Sequence, residues 1–400
     1  MNIILFDGNY RMNLLPLVFT RPVAELRIGI LTIKEKWEKL FPEAEISYLT
    51  EDYLSKKYPM MHSDDAVFIA GNVCANRMLA EEIHRLKLGE CLYYYGELIA
   101  FRGEKEDLTR LESLKSKELT FEPIQIRYLY DIFLNNEKTL SDDYRLLIAG
   151  KQSQPMPSTV TIIGDSVLPD GLPAVFIEPG AQIECAVLNI QNGPIYIGEN
   201  VQIMEGSYIR GPFAACEHAV VNMGAKIYGA TTLGPYCKVG GELNNVVMQG
   251  FSNKAHDGFL GNAVIGEWCN ISAGATASNL KNDYTEIKLW NYAEERFVRT
   301  GLQFCGLMMG DHSKTGINSM LNTATVIGVG VNYYGAGFPK TFIPSFAKGG
   351  PSGYSLHDLN QFFAMAEAAM LRRGKTLTET DKEIFATIFD ITAKYWRVRS

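Results

Sequence analysis

The chain has 400 residues, of which 46% are hydrophobic, so it can bury more than one core and exceeds the usual size of a single domain. Its formal net charge of -7 argues against a nucleic-acid surface as the main partner. Seven cysteines occur singly, which favours buried thiols in a reducing cytosol over a zinc knuckle or a disulfide framework. No stretch approaches the ~20 apolar residues of a membrane span. We therefore expect a cytoplasmic protein without nucleic-acid or membrane partners.

Residues 1–155 alternate short apolar runs with amphipathic segments, which is typical of an α/β domain. Each predicted strand runs into a glycine, Gly8 or Gly71. Because ligands of open α/β sheets bind beyond the carboxyl ends of the strands, we expect a nucleotide at these turns. For any single glycine, a tight strand exit is the simpler interpretation. The predicted strands and helices cover residues 3–6, 66–70, 32–40 and 75–88.

Residues 156–352 are rich in glycine: 27 of the 36 glycines fall between residues 151 and 350. Aliphatic residues recur there at every sixth position, as in the similar stretches that begin at Ile197, Leu233 and Ile265. A chain that turns a corner every six residues forms a triangular coil, with one aliphatic side chain of each face pointing inward. A β-sandwich would show period-two strands and irregular loops instead. This spacing predicts a left-handed parallel β-helix, a prism of stacked coils.

The six-residue phase is lost at residues 241–259 and 278–302, which predicts two loops that project from the prism. Loops on a rigid scaffold are where chemistry usually occurs. Residues 353–400 form the last region and have the capping residues and apolar spacing of two helices. We expect the first from Ser355 to Gly374 and the second over residues 378–396, packed on the end or side of the prism.

Residues 253–279 carry a more specific motif, N-K-A-H-D-G-F-L-G-N-A-V-I-G-E-W-C-N-I-S-A-G-A-T-A-S-N. It resembles the acetyltransferase signature of the bifunctional UDP-N-acetylglucosamine pyrophosphorylase/glucosamine-1-phosphate N-acetyltransferase family. That signature runs S-K-A-G-H-x-x-Y-L-G-D-A-x-I-G-x-x-x-N-I-G-A-G-T-x-x-x-N. Across the rest of the β-helix, the likeness is mostly the shared hexapeptide rhythm.

By position, this resemblance implies that His256 is the general base of acyl transfer from acetyl-CoA, and that Asn270 and Asn279 contact the substrate. A histidine on a loop, with its pKa in the neutral range, suits such a base. Lys254 lies near the signature lysine, one residue out of register. Phe259 replaces a tyrosine whose hydroxyl would contact the sugar, so the sugar need not be glucosamine.

Phosphate recognition would require cationic side chains around the same cleft. Lys254 and Lys281 are the first choices because each flanks the motif, although most such charges are simply solvated. The candidate cations are Arg210, Lys226, Lys238, Lys254 and Lys281.

Residues 1–155 also resemble sugar nucleotidyltransferases, which open with L-A-A-G-x-G-T-R-M, a glycine loop for the triphosphate, and continue with a P-K lysine. Here residues 5–12 read L-F-D-G-N-Y-R-M, two residues shorter in the loop. Val23 stands in place of the lysine, and Gly71-Asn72 in place of the Gly-Asp that holds Mg2+ in the family. These changes remove a cation and a metal anchor on which nucleotidyl transfer relies. The resemblance implies nucleotide contacts from Gly8, Arg11 and Asn72. We expect Arg21 or Arg27 to compensate for the missing lysine, since arginine also binds phosphate.

Three functions remain open. The first is acetyl-CoA-dependent N-acyl transfer to an amino-sugar phosphate or nucleotide sugar, in UDP-N-acetylglucosamine biosynthesis for the cell envelope. The second is a sugar-1-phosphate nucleotidyltransferase, using UTP or dTTP with Mg2+, in which the β-helix is a trimerisation module. The third is a non-catalytic assembly protein that binds a nucleotide sugar. The motif around His256 favours the first, and the resemblance also implies a homotrimer of prisms packed side by side.

Overall fold

The first region is a six-stranded mixed sheet in the computed structural model, which describes residues 1–397. Its strands are β1 (Asn2–Phe6), β2 (Glu45–Leu49), β3 (Ala66–Ala70), β4 (Glu90–Tyr94), β5 (Glu97–Gly103) and β6 (Lys115–Glu118). Its helices are α1 (Ile33–Leu40), α2 (Asp52–Ser55), α3 (Arg77–His84), α4 (Asp131–Leu134) and α5 (Asn136–Ile148). The order is β2-β1-β3-β5-β4-β6, with β1 parallel to both neighbours. All four predicted elements are present, although α3 is shorter than the predicted helix over residues 75–88. A Thr32–Glu35 capping box starts α1 at the residue where the predicted helix began.

The second region is the predicted parallel β-helix, with three faces. Face 1 consists of β7 (Thr161–Ile163), β10 (Val187–Asn189), β13 (Tyr208–Arg210), β16 (Lys226–Tyr228), the first halves of β19 (Glu242–Gly250) and β21 (Phe259–Glu267), β23 (Thr276–Ala277) and β28 (Met320–Leu321). Face 2 consists of β8 (Val175–Ile177), β11 (Ile195–Ile197), β14 (Phe213–Ala215), β17 (Thr231–Leu233), the second halves of β19 and β21, β26 (Met308–Met309), β29 (Val326–Ile327) and β31 (Phe342–Ile343).

Face 3 consists of β9 (Gln182–Ile183), β12 (Gln202–Ile203), β15 (Val220–Val221), β18 (Lys238–Val239), β20 (Asn253–Lys254), β22 (Asn270–Ile271), β27 (Lys314–Thr315), β30 (Asn332–Tyr333) and β32 (Ala347–Gly350). β33 (Gly353–Leu356) closes this face in the antiparallel direction. The aliphatic residues of the repeat point inward as predicted: Ile197, Leu233 and Ile265 are all 0% exposed. Their burial is the hydrophobic contribution that stabilises each coil.

The predicted loop at residues 241–259 is wrong, because this segment is a regular coil formed by β19 and β20. The spacing between paired strands of face 1 shows why the six-residue phase is lost here. Tyr208 pairs with Lys226, 18 residues further along, whereas Lys226 pairs with Glu242 after only 16 residues. The turn between β18 and β19 has only two residues, Gly240 and Gly241, where the preceding coil uses four. Asn245, with a left-handed φ of 55°, then turns the next corner in one residue. The second predicted loop is confirmed, since residues 278–302 leave the prism and contain the hairpin β24 (Lys288–Asn291) and β25 (Arg296–Arg299).

The tail forms two helices, α6 (Leu359–Leu371) and α7 (Glu379–Thr392). The first helix begins four residues later than predicted because Ser355 belongs to β33, and Asp358 is the N-cap. Gly374 follows the end of α6 with a φ of 66°, as its position indicated. The helix α7 ends at Thr392 and continues as a 3-10 turn, Ala393–Arg397.

The three regions contribute to one shared hydrophobic cluster, while the inward side chains of the prism form a second. Outward side chains of face 2, such as Val247, Val264 and Met308, are buried in the same cluster as Ile4 of β1 and Ile388 of α7. The first region therefore covers face 2 along the prism, and the tail helices pack against both. None of the helices in residues 1–397 has the length and apolar composition of a membrane span.

Candidate functional site

His256 lies at a corner of the prism, between faces 3 and 1. β20 ends at Lys254 and β21 begins at Phe259, so residues 255–258 form the turn. Neighbouring coils hold its backbone: the Asn222 amide donates to the carbonyl of Ala255 at 2.8 Å. The imidazole of His256 is exposed and makes no hydrogen bond to any group in the described residues 1–397. The predicted base is thus accessible to a ligand.

Lys254, a predicted substrate-binding residue, lies inside the prism. Its side chain is 0% exposed and takes an inward position that the preceding coil fills with Val239. The ammonium group donates to the carbonyl of His256 and, at 3.4 Å, to that of Gly240. Burial lowers the pKa of Lys254 to about 8. Its position fastens the His256 turn from within, away from the outer surface where a sugar would bind.

We expect Lys254→Met to remove a pH-dependent part of the stability. Because the pKa of Lys254 is about 8 in the folded protein and 10.5 ordinarily, the unfolded chain binds more protons between these pH values. The free energy of unfolding therefore rises as pH increases through this window, and the variant should lose that rise. Denaturant unfolding across the window measures it, with Lys348→Met, a half-exposed lysine of face 3, as control. Identical pH dependence in parent and Lys254→Met would contradict the expectation.

The other residues of the motif divide between two faces. A Cβ added to Gly261 would come 2.6 Å from the Phe259 ring and 2.7 Å from the Asn279 amide, so these two side chains meet on face 1. Asn279 donates to the Asn262 side chain at 2.7 Å. Asn270 lies on face 3, where it donates to Ser272 at 3.3 Å. The fold therefore brings Phe259 and Asn279 together beside the His256 turn and leaves Asn270 on another face.

Two other candidate cations, Lys281 and Arg210, differ in their surroundings. Lys281 lies in the projecting insertion, where its ammonium donates to the Glu286 carbonyl at 3.0 Å and to the Thr285 hydroxyl at 3.3 Å. Arg210 is exposed on face 1, one coil before Lys226. Arg210 thus faces solvent, and two strands of face 1 separate it from the strand that follows the His256 turn. The ammonium group of Lys281 already has hydrogen-bond partners within the protein.

A second candidate site lies at the carboxyl ends of β1 and β2. A cavity of about 630 Å³ is lined there by Gly8 and Arg11, together with the carboxylates Asp7, Glu51 and Asp52. This is the position that the glycine turn after β1 predicted for a nucleotide. Its charge is mixed, with more acidic than basic side chains, which is unfavourable for a bare triphosphate.

Arg11 is only 6% exposed, and its guanidinium is already engaged. It donates to Asp7 at 2.7 Å and to the carbonyl of Arg21 at 3.2 Å, and it also contacts the carbonyl of Val18. These contacts fasten the loop of residues 8–23 to the sheet. Arg11 therefore shapes the cavity wall, with its hydrogen-bonding groups turned to the protein.

Arg21 and Arg27 lie at the junction with the prism. Arg21 forms ion pairs with Asp311 and, at 3.0 Å, with Glu267. The Arg27 backbone N–H donates to the Gln249 side chain at 2.6 Å, and its guanidinium to the Gln249 carbonyl at 3.2 Å. Both side chains are buried. Arg21 and Arg27, which the sequence predicted to contact a nucleotide, therefore connect the first region to the prism.

Asn72 lies at the carboxyl end of β3, where the family pattern has a metal-binding aspartate. It is 4% exposed, and its amide nitrogen has no partner within residues 1–397. Sequence reasoning missed Asp7, which accepts from the Val23 backbone N–H at 2.7 Å and from the Thr50 hydroxyl at 2.5 Å. A carboxylate directly after a buried strand is the signal that would have found it.

The residues present do not fit a Mg2+ site. Within residues 1–397, no group of three or more His, Cys, Asp or Glu side chains is placed to hold a metal ion. The Asp7 oxygens accept from Arg11, Val23 and Thr50, and Asn72 supplies an amide in place of a carboxylate.

The chain thus joins an α/β sheet that has a glycine turn to a hexapeptide-repeat prism that has an exposed histidine turn, as the sequence predicted. Comparison with known proteins agrees. Residues 3–152 match the family described as sugar nucleotidyl transferase, which confirms the resemblance of this region.

Individual relatives are similar over partial stretches of the chain. The chain is 30% identical over 145 residues to the bifunctional sugar-1-phosphate nucleotidylyltransferase/acetyltransferase of Sulfurisphaera tokodaii, covering 36% of this chain and 35% of that protein. It is 28% identical over 221 residues to the bifunctional protein GlmU of Trichormus variabilis, covering 51% and 44%. It is 25% identical over 210 residues to the bifunctional protein GlmU of Synechococcus elongatus, covering 49% of this chain and 42% of that protein. The chain therefore spans less than half the length of each of these relatives.

Proposed function

We propose that this protein transfers an acyl group from acetyl-CoA to the amine of an amino-sugar phosphate or nucleotide-linked amino sugar, with His256 as the base. The observation that carries the proposal is the exposed imidazole at a turn fastened by a buried lysine. The motif of residues 253–279 supports it, as do relatives whose names include an acetyltransferase. A cytoplasmic homotrimer of prisms packed side by side is part of the same proposal.

The chemistry requires few groups. The amine nitrogen attacks the thioester carbon and loses a proton to His256. The C–S bond breaks, and the imidazolium returns this proton to the departing sulfur, so that coenzyme A leaves as the thiol. The Lys254 contact with the His256 carbonyl limits movement of the turn, which keeps the imidazole in place. Phe259 presents a ring where the family pattern has a hydroxyl, so we propose that the sugar edge facing it is apolar.

His256→Ala is expected to slow thiol release from acetyl-CoA by about 10²–10⁴-fold, because a positioned base contributes that much. The assay offers glucosamine-1-phosphate and nucleotide-linked amino sugars as acceptors. His84→Ala, at an exposed histidine of α3, is the matched control and should keep full activity. Equal rates in parent and His256→Ala, or no turnover by the parent with any amino sugar, would contradict the proposal.

Sugar-1-phosphate nucleotidyl transfer is a second candidate, favoured by the family match over residues 3–152 and by the cavity beside Gly8. Pyrophosphate formation from UTP or dTTP, measured in the same preparation, tests it. Loss of that activity in Arg11→Ala, with an unfolding midpoint equal to that of the parent, would support this function. The acidic cavity wall and the amide of Asn72 make acyl transfer the better-supported activity.

A further inference from the structure

A groove on face 1, in the coils before the His256 turn, combines cations with aromatic rings. It encloses about 480 Å³ and is lined by Asn189, Tyr208, Arg210, Lys226 and Tyr228, among others. Its lining, drawn from the described residues, contains no Asp or Glu. In a chain with a net charge of -7, such a groove favours an anionic ligand.

Both cations are available to a ligand. Arg210 and Lys226 are exposed and project from the neighbouring strands β13 and β16, where Tyr208 pairs with Lys226. Within residues 1–397, neither side chain forms an ion pair or a hydrogen bond, in contrast to Arg11, which is fully engaged. A guanidinium grips a phosphate through its fork, and an ammonium adds a point charge beside it. Two adjacent phosphates fit such a pair.

The aromatic side chains add a surface for a base. Tyr208 is 58% exposed, so most of its ring is open to contact. The Tyr228 hydroxyl donates to Glu242, which fixes its ring against the strand. Flat bases stack on such rings. Cations and rings in one groove therefore match a phosphate group that is joined to a nucleoside.

The distance between Lys226 and the His256 turn limits which phosphate-containing ligands can contact both. Lys226, Glu242 and Phe259 occupy one column of successive strands, and neighbouring strands lie about 4.8 Å apart. Lys226 is thus about 10 Å from the strand that begins beside the His256 turn. A phosphate on the sugar carbon next to the amine is too close to that amine to span two strand spacings. A diphosphate that continues to a nucleoside does span them.

We infer that this groove binds the nucleoside diphosphate part of a ligand whose other end reaches the His256 turn; the orientation toward His256 rests on the proposed function. The same chemistry occurs in a nucleotide sugar, as acceptor, and in coenzyme A, as donor. The groove thereby selects a nucleoside-diphosphate ligand over a simple sugar phosphate.

Calorimetric titration of the full chain with UDP, dTDP and coenzyme A tests this inference. Arg210→Gln/Lys226→Gln should weaken binding of at least one ligand tenfold or more. The charge-matched variant Lys348→Gln/Arg372→Gln, away from the groove, should bind as the parent does. Binding of UDP or dTDP identifies a nucleotide sugar as the source, and binding of coenzyme A alone identifies the donor. No binding of any of the three, or equal binding by both double variants, would overturn the inference.

Two further measurements separate this inference from the proposed function. His256→Ala should bind the nucleotide with unchanged affinity, since His256 is not part of the groove lining. Nucleotide binding that depends on Arg210 and Lys226, in a protein whose acyl transfer does not depend on His256, would refute the function and leave the groove site standing. If Arg210→Gln/Lys226→Gln transferred the acyl group as fast as the parent at subsaturating acetyl-CoA and subsaturating nucleotide-linked amino sugar, the groove site alone would be overturned.

Discussion

Replacing Asp311 with alanine is expected to lower the free energy of unfolding by about 3–5 kcal/mol, because it removes the main partner of a buried guanidinium. Asp311 is 3% exposed and accepts from Arg21 and, at 2.6 Å, from the Thr20 hydroxyl. It also accepts the Glu267 backbone N–H at 2.8 Å. Glu267 pairs with Arg21 as well, so we expect the loss near the lower end of this range.

Chemical denaturation followed by tryptophan fluorescence measures this effect, since Trp268 lines the same small cavity as Arg21 and Asp311. Asp170→Ala is the control, because the Arg145–Asp170 pair is partly exposed and such pairs contribute below about 1 kcal/mol. The double variant Arg21→Met/Asp311→Leu, which leaves no buried charge at the pair, should recover most of the stability. Equal losses in Asp170→Ala and Asp311→Ala would contradict the assigned role of the junction.

A second large loss, about 3–5 kcal/mol, is expected for Phe342→Ala, because it empties a packed aromatic cluster. Phe342 is 4% exposed at the last strand of face 2. Its ring stacks on Trp290 at 4.2 Å between centroids, and Tyr292 and Tyr395 meet its edges at 5.6 Å and 6.3 Å. This cluster joins the inserted hairpin and the tail to the prism, so the variant should loosen both.

Limited trypsin digestion reports the loosening, because Lys288, Arg296 and Arg299 lie in the hairpin. Cleavage there should accelerate in Phe342→Ala, together with a lower unfolding midpoint. Phe338→Ala is the control, since that side chain is 57% exposed and contributes little packing. A hairpin that resists trypsin equally in both variants would show that Phe342 does not hold it.

The sequence predicted the second region well because the signal is local. Each coil needs one inward aliphatic side chain per face, so a constant six-residue spacing records the geometry directly. Where Gly240-Gly241 and Asn245 turn successive corners in fewer residues, the spacing changes although the strands still stack, and the coil was interpreted as a loop. Strand pairing between coils, which reveals the continuity, is not visible in a spacing pattern.

The candidate site was only partly predictable. The motif located the His256 turn, whose exposure agrees with a role at a surface. It did not show that Lys254, two residues earlier, points into the prism, since inward and outward positions alternate along a strand. Nor did it show that Arg21 lies against Asp311, 290 residues further along the chain.

By itself, the sequence determined the α/β first region, the hexapeptide prism, the two tail helices and the resemblance of residues 3–152 to sugar nucleotidyl transferases. These features follow from short-range periodicity and from motifs of adjacent residues. Only the tertiary structure decided which cations are available to a ligand. Arg11, Arg21 and Arg27 are consumed by partners within the fold, while Arg210 and Lys226 stay exposed. That distinction depends on contacts between residues far apart in the chain, because a buried charge must find a partner and an exposed one need not.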